Sequence, residues 1–166
     1  MTEESVATSL AEEIKKATSS ACRMLALREH SKKQIRDKLA KKGFAEQTIK
    51  STLAYLIEEN WLCENRFCSA FIRSKSNKGQ GLLRIEMDLR QQNISQSCID
   101  QALIEEPIDW QKVCEQTLLK KLRTIQVTDN ALIMQDFKQK AKLEKFLNYR
   151  GFSSDEIKNA IKQCLV

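Results

Sequence analysis

The sequence predicts an all-α protein: three tandem three-helix repeats joined in an elongated, curved array. Three observations carry that expectation. Of 166 residues only four are Gly and one is Pro, and aromatics make up 6%, too little turn material for a β-sandwich or barrel. Ile35, Leu39, Gly43, Phe44, Ile49 and Leu53 have the spacing of Ile85, Leu89, Asn93, Ile94, Ile99 and Leu103, and again of Leu143, Leu147, Gly151, Phe152, Ile157 and Ile161. Apolar residues in each copy stand four apart, on one helical face, and no sustained period-two run appears.

In the first unit, Ala17, Ala21, Leu25 and Arg28 lead to Ser31, and Ser31-x-x-Gln34 reads as a capping box for the helix of Ile35 and Leu39. Gly43 can take positive φ and end that helix, Phe44 then packs back over the end, and a further helix carries Ile49 and Leu53. In the second unit Phe67, Phe71 and Ile72 form a helical stripe before a break at Ser76 to Gly81; the pair that follows turns at Asn93, with Ser95 as N-cap. In the third, Trp110, Val113, Cys114, Thr117, Leu118 and Leu122 precede a break from Thr124 to Asp129. Ala131 to Tyr149 then reads as one long helix, and Ser153 with Glu156 as a capping box. The units divide the chain into an N-terminal tail at 1–16 and repeats at 17–62, 63–106 and 107–166. Three helices enclose a small core that one pair alone could not.

Units in series offer a long surface and little enclosed volume, which favours binding over chemistry. No HExxH, GxSxG or Walker A pattern occurs, and the single histidine, His30, has no carboxylate or cysteine partner at a shared helical spacing. An enzyme and a bound cofactor are therefore not expected. Six scattered cysteines without a CxxC pair read as buried thiols, reduced and metal-free. No stretch approaches a membrane span and no apolar region follows the acidic start, so a cytoplasmic monomer is expected.

The net charge of +6 is unevenly placed: residues 1–20 sum to −2, 21–62 to +4, 63–105 to +1 and 106–166 to +3. Such a body attracts an anionic partner, although the same charge also serves solubility. The densest cluster holds Arg23, Arg28, Lys32, Lys33, Arg36, Lys38, Lys41 and Lys42, with charge on both flanks of the apolar face. Arg73, Lys75, Lys78 and Arg84 form a second, around a loop with Gly79 and Gly81 that reads more simply as a flexible connection than as a phosphate loop. Lys120, Lys121 and Arg123 close a helix C-terminus, where cations suit the dipole. Arg28, Lys32, Lys33, Arg36, Arg73, Lys78 and Arg84 are the expected anion-facing residues. Trp61, Trp110, Phe67 and Phe71 are assigned to core packing, so base stacking is not indicated. Two other readings fit a helical-repeat protein: direct DNA binding through helix-turn-helix-like pairs, without a repeated basic recognition face, and a scaffold for an unrelated acidic protein.

The run Ala21-Cys-Arg-Met-Leu25-Ala-Leu-Arg28-Glu29-His30-Ser31, followed by Ile35, Lys38-Leu39 and Lys42-Gly43, resembles the opening motif of the RecX family, regulators of the RecA recombinase. Trp61 to Phe67, Arg73, Lys78-Gly79-x-Gly81, Arg84-Ile85 and Leu89-Arg90 are similar to that family's best-marked segment, and Leu147, Arg150-Gly151-Phe152, Ile157 and Ile161 to its third part. Cys63-Glu64 departs from the usual Asp-Asp, His30 from a common Arg and Asn93 from the usual Gly. The resemblance implies three tandem three-helix repeats, binding along the groove of the RecA filament on DNA, and suppression of ATP hydrolysis, strand exchange and co-protease activity. RecA and the RecA–DNA filament are the partners it implies; from the basic charge, any direct contact with naked DNA is expected to be weak and lost steeply with salt.

Overall fold

The Gly or Asn that closes each repeated pattern does adopt the left-handed conformation: φ is 85° at Gly43, 60° at Asn93 and 90° at Gly151. In each copy the following apolar residue donates its N–H back across the helix end, Phe44 to the Leu39 carbonyl, Ile94 to Leu89 and Phe152 to Leu147, at 3.2–3.3 Å. The preceding N–H closes the tighter inner bond, as in Gly43 to Ala40. This pairing satisfies the last orphan carbonyls and folds the apolar side chain over the core.

A computed structural model describes residues 3–125 and 137–165. It contains, among the described residues, nine helices and no strand: α1 (Glu3–Leu25), α2 (Lys32–Lys41), α3 (Glu46–Glu58), α4 (Glu64–Asn77), α5 (Leu82–Gln91), α6 (Gln96–Glu105), α7 (Trp110–Thr124), α8 (Phe137–Arg150) and α9 (Ser154–Leu165). The closely packed helix pairs all fall within the triplets α1–α3, α4–α6 and α7–α9. Each triplet has its own core: Ala17, Ile35, Leu39 and Leu56 in the first, Phe67, Ile72, Ile85, Leu89 and Ile99 in the second, Leu118, Leu147, Phe152 and Ile161 in the third. The architecture is therefore three small cores in series rather than one large one. No helix among the described residues is long and apolar enough to cross a membrane.

Caps follow the sequence. Ser31 Oγ accepts the Gln34 N–H at 3.0 Å and Ser95 Oγ that of Cys98 at 3.3 Å. Ser153 forms the full box, accepting from the Glu156 N–H at 3.3 Å while its own N–H donates to Glu156 Oε2 at 2.7 Å. At Ser31 the box is half made: Gln34 Oε1 accepts from Arg28 Nη1 instead.

Several expectations need correction. Residues 1–16 are not a separate tail where described: with no Pro or Gly to stop it, α1 runs unbroken from Glu3, and Glu13 accepts from Thr48 Oγ1 at 2.6 Å. The break placed at Ser76 to Gly81 begins two residues later, since α4 continues to Asn77 with Ser76 buried and bonded to the Arg73 carbonyl. Trp61 is not core: in the turn after α3, Asn60 has a φ of 55°, and the indole that follows is 50% exposed. Phe67 is buried, and Phe71 and Trp110 pack at the edge of the second core. The long third-unit helix is seen from Phe137; its expected start at Ala131 lies outside the described residues, as does the end of the break, at Asp129.

Candidate anion-facing surface

The units meet through one repeated joint. Ser31, the N-cap of α2, donates its hydroxyl to Gln92 Oε1 at 3.1 Å, at the α5–α6 corner of the next unit, and Lys33 Nζ reaches the Gln91 carbonyl at 2.8 Å. Fifty residues on, Gly81, the N-cap of α5, donates its N–H to the Arg150 carbonyl at 2.9 Å, and Leu83 N–H to that of Gly151 at 3.1 Å. The starts of α2 and α5 thus sit on the corner of the following unit. At the second joint the N–H groups of Gly81 and Leu83, which have no partner within α5, are satisfied by the neighbour's carbonyls; at the first, side chains make the contact. At the second joint the backbones are in direct contact, which requires glycine on both sides: a Cβ on Gly81 would stand 2.6 Å from the Phe152 nitrogen. The segment read as a flexible loop is therefore a fixed joint, further held by Arg150 Nη1 on the Lys78 carbonyl at 3.0 Å.

Of the seven expected basic residues, Lys32 and Lys33 reach across the first joint, Lys78 and Arg84 lie at the second, and Arg36 and Arg73 are paired within their own units. Lys32 pairs with Glu64 at 3.1 Å across the first joint, beside Arg66 on Glu29 at 2.9 Å. Arg36 pairs with Glu46 of α3 at 2.8 Å, and Arg73 holds Glu106, its Nε at 3.1 Å from Oε2. Arg84 lies 3.1 Å from Asp88, which Lys75 also approaches at 3.5 Å, and its guanidinium stands 5.9 Å from the Tyr149 ring. Lys33 is spent on a carbonyl, as above. Arg28 donates to the Glu29 carbonyl and to Gln34, and Lys78 is exposed; neither pairs with a carboxylate among the described residues. Pairs this exposed contribute about 0–1 kcal/mol each, so they set local charge more than stability. Spacing along one helix could not reveal them, because the partners of Lys32 and Arg73 lie more than thirty residues away.

His30 is buried beside this cluster. Its Nδ1 donates to the Arg28 carbonyl at 2.9 Å, which leaves Nε2 to accept from Lys38 Nζ at 3.1 Å. That arrangement fixes the neutral ring. Burial, with Arg28 and Lys38 nearby, pushes its pKa below the ordinary 6.5, outweighing the Arg28 carbonyl and Glu29. The unfolded chain then binds a proton near pH 6 that the folded chain resists, so stability should be full above pH 6.5 and decline as pH falls below it. Urea unfolding at several pH values should show a shallower decline for His30→Gln than for the parent; equal slopes would place the titration elsewhere.

The thiols of Cys68 and Cys114 are pushed up to about 12 by burial, Cys68 also by Cys98 and Cys114 by Glu156, so neither is a ready nucleophile at neutral pH.

Each triplet matches its own family domain, in order: RecX first three-helix domain over residues 17–56, second over 64–103 and third over 109–161. The chain is 34% identical over 141 residues to Regulatory protein RecX of Vibrio parahaemolyticus, covering 85% of this chain and 86% of that one. It is likewise 34% identical over 146 residues to Regulatory protein RecX of Mannheimia succiniciproducens, covering 87% and 92%. Its fold is shared with the crystal structure of RecX from Lactobacillus salivarius, at a TM-score of 0.71 and 21% identity over 93% of this chain and 97% of that one. A second crystal structure of regulatory protein RecX superposes at 0.75 with 23% identity, over 98% and 78%.

Proposed function

The chain belongs to the RecX family, and from that premise we propose that it binds RecA and RecA–DNA filaments and inhibits their recombinase, ATPase and co-protease activities. It thereby modulates DNA repair and the SOS response as a cytoplasmic, non-catalytic monomer without a cofactor. The observation that carries this reading is the ordered match of all three units to the family's three domains. The joints add a mechanism: three small cores in series span successive subunits of a polymer better than one globule would. Favouring a blocked or disassembling filament then needs only stronger binding to that state.

Of the seven basic residues proposed to face the filament, Arg28 and Lys78 can be altered without breaking an internal ion pair. Arg36 and Arg73, though exposed, would release Glu46 and Glu106. Adding the protein to preformed RecA filaments should slow ATP hydrolysis, and Arg28→Glu with Lys78→Glu should raise the concentration for half-inhibition several-fold at low salt while helicity is kept. Undiminished hydrolysis with the parent protein would reject the reading. Full inhibition by the double variant would remove these two residues from the interface.

A further inference from the structure

We propose that the cleft at the joint of the second and third units, walled by Lys78, Lys120, Lys121 and Arg150, is a binding site for the phosphodiester backbone of nucleic acid. The cleft has a volume of about 270 Å³ and is completed by Gly79, Thr117, Thr124 and Phe146. It is formed where the α4–α5 corner, the last turns of α7 and the end of α8 converge.

Arg150 and Lys121 are held in place, and none of the four cations is neutralised by a carboxylate among the described residues. Arg150 gives Nη1 to the Lys78 carbonyl and lies 5.2 Å from the Phe146 ring centre, with Lys121 Nζ 5.4 Å from the same ring. One edge of the guanidinium is thus fixed and its other N–H groups remain for a ligand. None of the ion pairs found between Glu29 and Glu106 engages any of these four side chains. Nor are the two α7 lysines needed to cap their helix. The Ile125 N–H already bonds the Lys121 and Leu122 carbonyls, and Thr124 Oγ1 that of Lys120. Four like charges around one cleft repel, and an anion relieves that repulsion.

Size and composition select the anion. The cleft is at the lower limit of small-molecule pockets, roughly 300–1,000 Å³, and three flexible ammonium groups with one fork suit a phosphate that is part of a longer chain. Phe146 is occupied by cations, so contact would be to the backbone and indifferent to base sequence.

The test uses the full chain and DNA without RecA, so its failure leaves the reading of RecA regulation standing. Fluorescence anisotropy would follow labelled oligothymidylate and a mixed-sequence duplex over a series of salt concentrations. K78Q/K120Q/K121Q should lower the slope of log affinity against log salt by roughly two to three on duplex and weaken binding about tenfold or more at low salt. K50Q/K112Q/K158Q, which removes the same charge from exposed lysines elsewhere, should change either quantity far less. Equal losses in the two variants, with helicity intact, would mean that net charge alone is sensed and would overturn the site. So would binding to phosphatidylserine vesicles or inorganic phosphate that depends on the same lysines while DNA binding does not.

Discussion

Replacing Gly151 by alanine should destabilise the protein by about 2–5 kcal/mol, whereas the same change at Gly43 should cost only about 1–2 kcal/mol. Both glycines end the middle helix of a unit with positive φ, 90° and 85°, so the backbone term is shared. Their surroundings differ. A Cβ on Gly151 would lie well inside contact distance of the Arg84 Cβ and backbone nitrogen and 2.9 Å from its Cα, none of which can move without opening the joint. A Cβ on Gly43 would meet nothing within 4 Å, because none of the described residues is seated on that corner. The difference between the two losses therefore measures how tightly the second joint is closed. Denaturant titration gives the magnitudes, and amide exchange gives the location: Gly81 and Leu83, whose N–H groups end on Arg150 and Gly151, should lose protection in Gly151→Ala and keep it in Gly43→Ala. Equal costs would mean that the joint is open in solution.

What the sequence reveals, and what it hides, follows from the range of the interactions. The corners at Gly43, Asn93 and Gly151 are legible because every participant, from the buried residue four back to the apolar one that follows, lies within a few residues. The caps at Ser31, Ser95 and Ser153 are legible for the same reason. Gly81 is not, because its need for glycine arises from a backbone seventy residues away; alone it reads as loop material. The basic residues fail similarly. Helical geometry places Lys32 and Arg36 around α2, but only the tertiary fold brings Glu64 and Glu46 to them. The same fold leaves Lys120 and Lys121, which look locally like helix-closing cations, on a cleft without a carboxylate. Trp61 is misread because it follows Asn60, an unrepeated position with positive φ in the turn after α3.

Truncating Leu89 to alanine should cost about 2–5 kcal/mol, and the loss should spread further along the chain than that of Leu39→Ala. Both side chains are fully buried and occupy the same repeat position, so transfer and cavity terms are alike. Topology separates them. Leu89 belongs to the middle core, and its carbonyl anchors the Ile94 N–H at the corner that seats the start of α2; the N-terminus of its own helix rests on the third unit. Loosening that core therefore weakens both joints at once. Leu39 supports the first unit, which meets a single other unit among the described residues. In a serial array stability is a sum of unit and nearest-neighbour terms, so the middle variant should reduce exchange protection in α2 and α8 as well as in α5, while Leu39→Ala should spare α8 and α9. A loss below about 1 kcal/mol for Leu89→Ala would place that side chain outside a packed core. Loss confined to the second unit would show that the joints, although bonded, transmit little free energy, and that the three cores fold as independent neighbours.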